Sequence, residues 1–200
     1  MKKRGRPRQF DEDAVIDAMI ELFWRQGFNA TSLDDIAAAT GLNRPSLYRA
    51  FGNKTDMYMK CLNVFAGRMM ELFRLTFENA GTLETGLRDF YRSIIEVYYS
   101  GSNEKSGLGC LVYSNAITVA PLNEDIQRSI SKGLGQIKRT FKTSMVQHRP
   151  KHSEPTVDIA VEVALSTFVG LGVQVRAGKS RKDVESAMSK SILAIIKLLT

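Results

Sequence analysis

The segment from Thr31 to Lys54, TSLDDIAAATGLNRPSLYRAFGNK, constrains the fold of this 200-residue chain more than any other. Apolar and small residues recur at helical spacing on both sides of Gly41, where one helix must stop and the chain must turn. Leu47 and Phe51 would form the inner face of a second short helix, and the small Ala37 would let the two helices cross closely. The spacing therefore predicts a helix-turn-helix motif.

The second helix of this motif would carry polar side chains on its outer face. Arg44, Ser46, Tyr48 and Arg49 would point away from the apolar side of that helix. Side chains of these types can reach base edges and phosphates when a helix lies in the major groove of DNA. An ordinary helical hairpin with a basic outer face fits the same spacing, so the motif alone leaves both interpretations open.

The chain begins MKKRGRPR, in which five of eight residues are Lys or Arg and none is acidic. Such a segment has no apolar surface to bury, so we expect residues 1–9 to form a disordered tail. Its centre, from Arg4 through Arg6 to Pro7, has the pattern of an AT-hook, in which an extended Arg-Gly-Arg lies in a narrow minor groove. A nonspecific phosphate-binding tail fits as well, and both interpretations favour DNA.

The overall composition favours a DNA-binding protein over an enzyme. The net charge of +7 suits a polyanionic partner. Cys61 and Cys110 lie far apart, and His148 and His152 are the only histidines. We therefore expect no disulfide, no metal site, no cofactor and no catalytic group. The longest uncharged stretch, 106–123, is too polar to span a bilayer, and no signal peptide is evident. These features predict a cytoplasmic protein with no membrane partner.

Hydrophobic periodicity predicts an all-α chain of nine helices in two domains. The first domain, residues 10–54, would combine a bracing helix at about 11–26 with the two helices of the motif. The second domain, residues 55–200, would begin inside a long helix that Asn53 and Asp56 start with a capping box. Gly and Pro breaks separate the later helices, which we expect at about 83–100, 107–120, 123–148, 155–177 and 181–199.

The last two predicted helices carry apolar stripes that suit a four-helix interface between two copies of the chain. Two copies related by a two-fold axis could read a palindrome, whereas a single recognition helix reads only a few base pairs. An internal core fits the same periodicity. The residues that we assign to the dimer interface are Val161, Leu165, Phe168, Val184, Met188, Ile192 and Ile195.

Aromatic and small polar residues of the second domain could line an apolar cavity for a small-molecule effector, although helical domains also use such residues as core. Cys110 lies in the segment GLGCLVYSNA, where a helix N-terminus could lower the pKa of its thiol and make it a sensor of electrophiles. A small buried hydrophobe is the alternative. The candidate ligand-binding residues are Tyr98, Cys110, Tyr113, Ser114, Phe168 and Gln174.

The segments RQGFNATSLDDIA and TGLNRPSLYRAFGNK closely resemble the TetR family of bacterial transcriptional regulators. The resemblance is specific over about residues 10–60 and extends to the rest of the chain only in length and helical plan. It implies a homodimer with an N-terminal DNA-binding domain and a C-terminal ligand-binding and dimerisation domain. It also implies a repressor that a small molecule releases from a palindromic operator. The DNA contacts that it implies are made by Thr31, Ser32, Arg44, Pro45, Ser46, Tyr48, Arg49 and Lys54.

Two features of the motif depart from that pattern or oppose DNA binding. Ala50 stands where many members of the family carry a histidine. Asp34 and Asp35 would repel phosphate, so we expect them to point away from DNA or to pair with Arg44 or Lys54.

Two further classes of function fit parts of the sequence. An architectural DNA binder would explain the basic tail but not the large second domain, and a partner-binding module would make no DNA contact. A footprint separates the three classes: one short palindrome indicates a regulator, broad coverage an architectural protein, and no salt-dependent shift a partner module. We expect a regulator, and the sequence does not distinguish a repressor from an activator.

Overall fold

The computed structural model describes residues 10–100, 107–114, 116–148 and 153–200, and within these ranges every regular element is a helix. The basic tail, with Arg4 and Arg6, lies outside the described residues. The chain divides into two compact units, Met1–Leu62 and Asn63–Thr200. The helices are α1 (Glu12–Gln26), α2 (Leu33–Thr40), α3 (Arg44–Phe51), α4 (Lys54–Glu78), α5 (Leu83–Tyr99), α6 (Leu111–Ser114), α7 (Ala116–Val119), a 3₁₀ turn (Ala120–Leu122), α8 (Glu124–His148), α9 (Glu154–Arg176) and α10 (Arg181–Leu198).

The all-α architecture is confirmed, with one local difference. The helix expected at 107–120 is instead a non-helical segment followed by α6 and α7, which lie on either side of residue 115, itself outside the described residues. Gly109 has a φ of +64°, which a right-handed helix does not allow. When α6 and α7 are counted as one helix, the described residues contain the nine helices that the periodicity predicts.

The first unit is built around the apolar face of α1. Asp11 begins this helix by accepting the backbone N–H groups of Asp13 and Ala14, at 3.0 and 3.4 Å. Phe23 is fully buried, and its ring meets that of Tyr58 edge-on at a centroid distance of 5.0 Å. The other apolar side chains buried in this unit include Val15, Met19, Ile20, Trp24, Ile36, Leu47, Phe51 and Met57.

The second unit packs α5 and α8 to α10 around an aromatic core. Tyr91 on α5 is fully buried, and its hydroxyl donates to the carbonyl oxygen of Ala164 on α9 at 2.7 Å. The hydroxyl of Tyr99 donates to the carbonyl oxygen of Lys179, before α10, at 2.6 Å. Because a buried hydroxyl requires a partner, these two bonds help to fix α5 against the C-terminal helices.

The segment before α6 lies directly on α9. The N–H of Leu108 donates to the carbonyl oxygen of Tyr98 at 2.8 Å. A Cβ on Gly109 would lie 2.3 Å from the carbonyl oxygen of Gly172, and one on Gly107 would lie 2.2 Å from Cγ1 of Val175. The glycines therefore allow two backbones to approach closely.

The structure corrects our assignment of the apolar stripes of α9 and α10 to the dimer interface. Six of the seven assigned residues are buried inside the subunit, and Leu165 is half-buried. The strongest apolar periodicity of α9 and α10 marks the sides that face the interior of their own subunit. The residues concerned are Val161, Phe168, Val184, Met188, Ile192 and Ile195.

Candidate nucleic-acid interface

Helix α2 begins with a reciprocal cap that uses one of the two aspartates. The hydroxyl of Ser32 accepts the N–H of Asp35 at 3.1 Å, and the carboxylate of Asp35 accepts the N–H of Ser32 at 2.8 Å. The hydrogen bonds from Ser32 lower the pKa of Asp35. Ser32 is exposed at the N-terminus of the helix, where backbone N–H groups favour an anion such as a phosphate.

Thr31, which the family resemblance placed on a phosphate, has a different role. Its side chain is 1% exposed, and its hydroxyl donates to the carbonyl oxygen of Gly27 at 2.6 Å. A buried hydroxyl is costly without such a bond, so this side chain holds the turn between α1 and α2. The assignment of Thr31 to a phosphate contact is therefore corrected.

Lys54, at the start of α4, is also engaged within the first unit. Its ammonium group donates to the carbonyl oxygens of Phe28 and Thr31, at 3.0 and 2.9 Å. It also lies 4.4 Å from the centroid of the Phe28 ring. An ammonium group has three donors, so two are used to hold the α1–α2 turn and one is left for a further acceptor.

Helix α3 presents the outer face that its sequence predicts. Asn43 caps it by accepting the N–H of Ser46 at 2.9 Å, and Ser46 itself is half-buried. Leu47 is fully buried on the inner side, whereas Tyr48 on the outer side is 48% exposed. The remaining exposed members of the predicted set on this helix are Arg44, Pro45 and Arg49.

Asp34 and Arg44 form an exposed two-point ion pair between α2 and α3. Nε of Arg44 donates to Oδ1 of Asp34 at 2.8 Å, and Nη2 donates to Oδ2 at 2.5 Å. These hydrogen bonds raise the pKa of Arg44. The expected pairing of an acidic residue of α2 with Arg44 is confirmed, and it fixes the direction of a side chain on the outer face.

Four of the six candidate ligand-binding residues lie together, but in the core. The rings of Tyr113 and Phe168 meet edge-on at 5.7 Å, and both are buried. A Cβ on Gly172 would lie 3.1 Å from Cβ of Cys110 and 3.3 Å from Cε2 of Tyr98. These contacts describe tight packing rather than an open cavity.

The structure corrects the expected state of the Cys110 thiol. The residue is 2% exposed, and burial raises the pKa of its thiol. Gln174 is separate from this cluster and lines a shallow groove between α9 and α10. Ser114 ends α6, and its side chain lies outside the described part of the chain.

Comparison with known proteins agrees with this geometry. The sequence model described as "Bacterial regulatory proteins, tetR family" matches residues 15–60, which include α2 and α3. The chain belongs to the TetR family. It is 29% identical over 183 residues to the HTH-type transcriptional repressor ComR of Escherichia coli (strain K12), covering 90% of this chain and 86% of ComR. It is 41% identical over 63 residues to the HTH-type transcriptional repressor BdcR of the same strain, covering 32% of each chain.

Two solved structures, one of them described as a TetR family transcriptional regulator, have the same fold. A cysteine mutant of the regulator CifR, complexed with a 26bp double-strand operator DNA, has a TM-score of 0.83 and 23% identity. The match covers 95% of this chain and 99% of that one. The reduced form of NemR from E. coli has a TM-score of 0.75 and 18% identity, with 90% and 93% of the two chains covered. This TetR-family chain is therefore a DNA-binding transcriptional regulator and not an enzyme.

Proposed function

We propose that this TetR-family protein is a cytoplasmic homodimeric repressor that binds a palindromic operator and is released from it by a small molecule. The observation that carries the proposal is the outer face of α3, where Arg44, Pro45, Tyr48 and Arg49 are exposed while Leu47 is buried. A helix with this division of faces can lie in the major groove without disturbing the core behind it.

Each exposed side chain has a DNA group that it can bind. An arginine can form two hydrogen bonds with O6 and N7 of guanine, and each such pair contributes about 1–3 kcal/mol of discrimination. Pro45 offers an apolar surface to a thymine methyl group, and the hydroxyl of Tyr48 can bind a phosphate. Ser32, at the start of α2, and the half-buried Ser46 of α3 are the other two residues of this region that we propose contact DNA. Arg4 and Arg6 would add contacts in the minor groove.

The exposed side of α9 supports the dimer and replaces the interface that the sequence suggested. Helix α9 is long and apolar enough to cross a membrane by composition, yet less than half of that stretch is buried in the subunit. Ile159 and Val173 on it are 55% and 49% exposed. A Cβ on Gly170 would meet no atom within 4 Å, so a second helix could approach the backbone there. A second copy of the chain would cover this surface by two-fold symmetry.

Release by an effector would act through α4, which is one continuous helix from Lys54 to Glu78 and therefore contains residues of both units. A ligand that binds one conformation of the second unit better than another would change the separation of the two recognition helices in the dimer. The two recognition helices could then no longer bind both half-sites of the operator, because the spacing of the half-sites is fixed. Only a difference in affinity between the two conformations can drive this change.

The test is a footprint on the DNA beside the protein's own coding region, with the wild type and the variants Arg44→Ala and Tyr48→Ala. We expect the wild type to protect one short inverted repeat and both variants to lose this protection while remaining folded dimers. Circular dichroism and sedimentation check the fold and the oligomeric state. Broad, length-dependent coverage would indicate an architectural protein, and unchanged protection in both variants would contradict the role of α3.

A further inference from the structure

We propose that Phe10 is a positioning residue for DNA recognition. By packing on Phe51, it directs the basic tail towards the C-terminal end of α3, so that each subunit reads an A·T-rich minor groove directly beside its half-site. The inference rests on the proposed function, because it requires α3 to lie in the major groove. It adds to that function the residue that places the tail, and the position and composition of the DNA that the tail reads.

Phe10 lies immediately before the cap of α1 and contacts the last residue of α3. The centroids of the Phe10 and Phe51 rings lie 6.1 Å apart, and the ring planes are inclined by 41°. Aromatic rings attract each other when their centroids are about 4.5–7 Å apart. Phe10 is half-buried and Phe51 is buried, so the contact removes apolar surface from water. The basic tail therefore joins the first unit beside the end of α3.

Two further contacts hold Phe51 and the start of α1 together. The ammonium group of Lys60, on α4, lies 5.1 Å from the centroid of the Phe51 ring. The same group forms an ion pair with the carboxylate of Glu12, in the first turn of α1. These contacts connect α1, α3 and α4 without the help of Phe10. We therefore expect removal of the Phe10 ring to change the direction of the tail and to leave the fold intact.

The length of the tail decides which groove it can reach. Arg6 and Arg4 precede Phe10 by four and six residues, so they can lie at most about 14 and 22 Å from it. The centres of a major groove and the adjacent minor groove are about 17 Å apart, which is half of a helical turn of about 34 Å. The next minor groove lies about one full turn further away. The tail can therefore reach only the minor groove beside the half-site.

The sequence of the tail suits a minor groove that lacks guanine. Arg4 and Arg6 flank Gly5, which has no side chain to keep the backbone away from the groove. A narrow A·T-rich groove has an enhanced negative potential, which attracts arginine. In a G·C pair, the N2 amino group of guanine is a donor in this groove, and it opposes side chains that can only donate. We therefore expect a preference for A·T pairs, which two-fold symmetry repeats at both half-sites.

The first experiment uses the full chain to select bound sequences from a pool of random duplexes. We expect the wild type to recover an inverted repeat in which A·T pairs are enriched beside both half-sites, about five base pairs from the bases that α3 reads. Phe10→Ala should recover the same inverted repeat without this enrichment. Phe10→Leu keeps an apolar side chain for the contact with Phe51, so it should retain the enrichment. Circular dichroism checks that both variants keep the helical content of the wild type.

The second experiment measures affinity by fluorescence anisotropy for three duplexes that share the selected half-sites and carry A·T, G·C or inosine·cytosine flanks. Inosine lacks the N2 amino group, so its pair with cytosine resembles A·T in the minor groove and G·C in the major groove. We expect the wild type to bind the A·T and inosine duplexes equally and the G·C duplex about tenfold more weakly. In Phe10→Ala the three affinities should become equal. The dependence of its affinity on salt should stay unchanged, because no charge is lost.

Three results would overturn the inference: equal binding of the three duplexes by the wild type, an inosine duplex that binds as weakly as the G·C duplex, or a flank preference that survives in Phe10→Ala. The selection keeps this inference and the proposed function apart. An inverted repeat without flanking A·T pairs contradicts only the role of Phe10 and the tail. A selected pool without any inverted repeat contradicts both proposals.

Discussion

Arg44 shows at the scale of single residues how one contact can fix the direction of a side chain that we propose reads DNA. Asp34 occupies Nε and one hydrogen of Nη2. The opposite edge of the guanidinium group, with Nη1 and the second hydrogen of Nη2, remains for a base. That edge matches O6 and N7 of guanine, so the pair should favour guanine over other bases at one position of each half-site.

Removing the carboxylate of Asp34 should therefore reduce specificity more than affinity. In Asp34→Ala, Arg44 would be free to bind a phosphate instead, and one negative charge near the DNA would be lost. We expect the ratio of operator affinity to scrambled-duplex affinity to fall about tenfold. The slope of the logarithm of affinity against the logarithm of salt concentration should become steeper by about one, which corresponds to the release of one more ion. Fluorescence anisotropy across a salt series measures both quantities. Glu21→Ala on α1 removes the same charge from an Arg25 pair and should leave the ratio unchanged.

The two cysteines should be unreactive in the folded protein. Burial raises the pKa of Cys61 to about 12 and also raises that of Cys110. Because the thiolate is the nucleophile, a raised pKa means slower alkylation at about pH 8. We expect iodoacetamide to label neither thiol in the native state and both in concentrated urea, as read by mass spectrometry. Rapid native labelling of Cys110 alone would instead restore the sensor hypothesis.

The raised pKa of Cys61 also determines whether the free energy of unfolding rises or falls with pH. The pKa of Cys61 in the folded protein, about 12, lies above the ordinary value of 9.0 for a cysteine thiol. The unfolded chain therefore loses this proton first, so the free energy of unfolding should fall as the pH rises from 9.0 towards 12. Cys61→Ser would introduce a buried hydroxyl, so Cys61→Ala is the control, and its stability should depend less on pH over this range.

Some residue roles were predictable from the sequence, and others depend on atoms that the sequence pattern does not reveal. The outward direction of Tyr48 follows from its spacing relative to Leu47, because helix geometry alone decides it. The roles of Thr31 and Lys54 do not follow in this way. Both bind backbone carbonyl oxygens of the α1–α2 turn, at Gly27 and Phe28, and the position of a turn carbonyl depends on tertiary structure.

At the scale of elements, the starts of helices were predicted best. Helix α1 begins at Glu12, one residue after the expected start, and Asn53 and Asp56 exchange hydrogen bonds of 2.8 and 3.1 Å at the start of α4, as expected from the spacing of these two residues. The region 107–120 was predicted less well because its apolar residues fit one helix as readily as several short pieces. Close approach to α9 decides between them, and such contacts between distant segments leave no periodic signal.

The segment before α6 should tolerate no side chain at Gly109. Alanine there would require a φ of +64° and would place its Cβ 2.3 Å from the carbonyl oxygen of Gly172. Strain and overpacking together should lower the free energy of unfolding by about 2–4 kcal/mol. Urea unfolding followed by circular dichroism measures the change. Gly81→Ala is the control, since no atom lies within 4 Å of its added Cβ, and it should unfold as the wild type does.

At the scale of the whole molecule, reading of a palindrome requires two recognition helices at a fixed separation, so DNA affinity should depend on a surface far along the chain from α3. The apolar periodicity of α9 and α10 marked the sides that the subunit buries in its own core, because periodicity reports burial and does not distinguish the interior of a subunit from an interface. The exposed apolar residues left over after folding are the better guide.

Val173→Asp on α9 should therefore separate the two subunits, because it places a charge on the surface that we assign to the partner. Leu193→Asp on α10 is the matched control: Leu193 is 56% exposed, against 49% for Val173, but it lines a different groove, between α5 and α10. We expect sedimentation to give a monomer for Val173→Asp and a dimer for Leu193→Asp at the same concentration. The monomer should keep its helical content but lose the operator footprint, since each half-site alone offers too few base contacts. A dimer that persists in Val173→Asp and is lost in Leu193→Asp would place the interface on the α5 side of α10 instead.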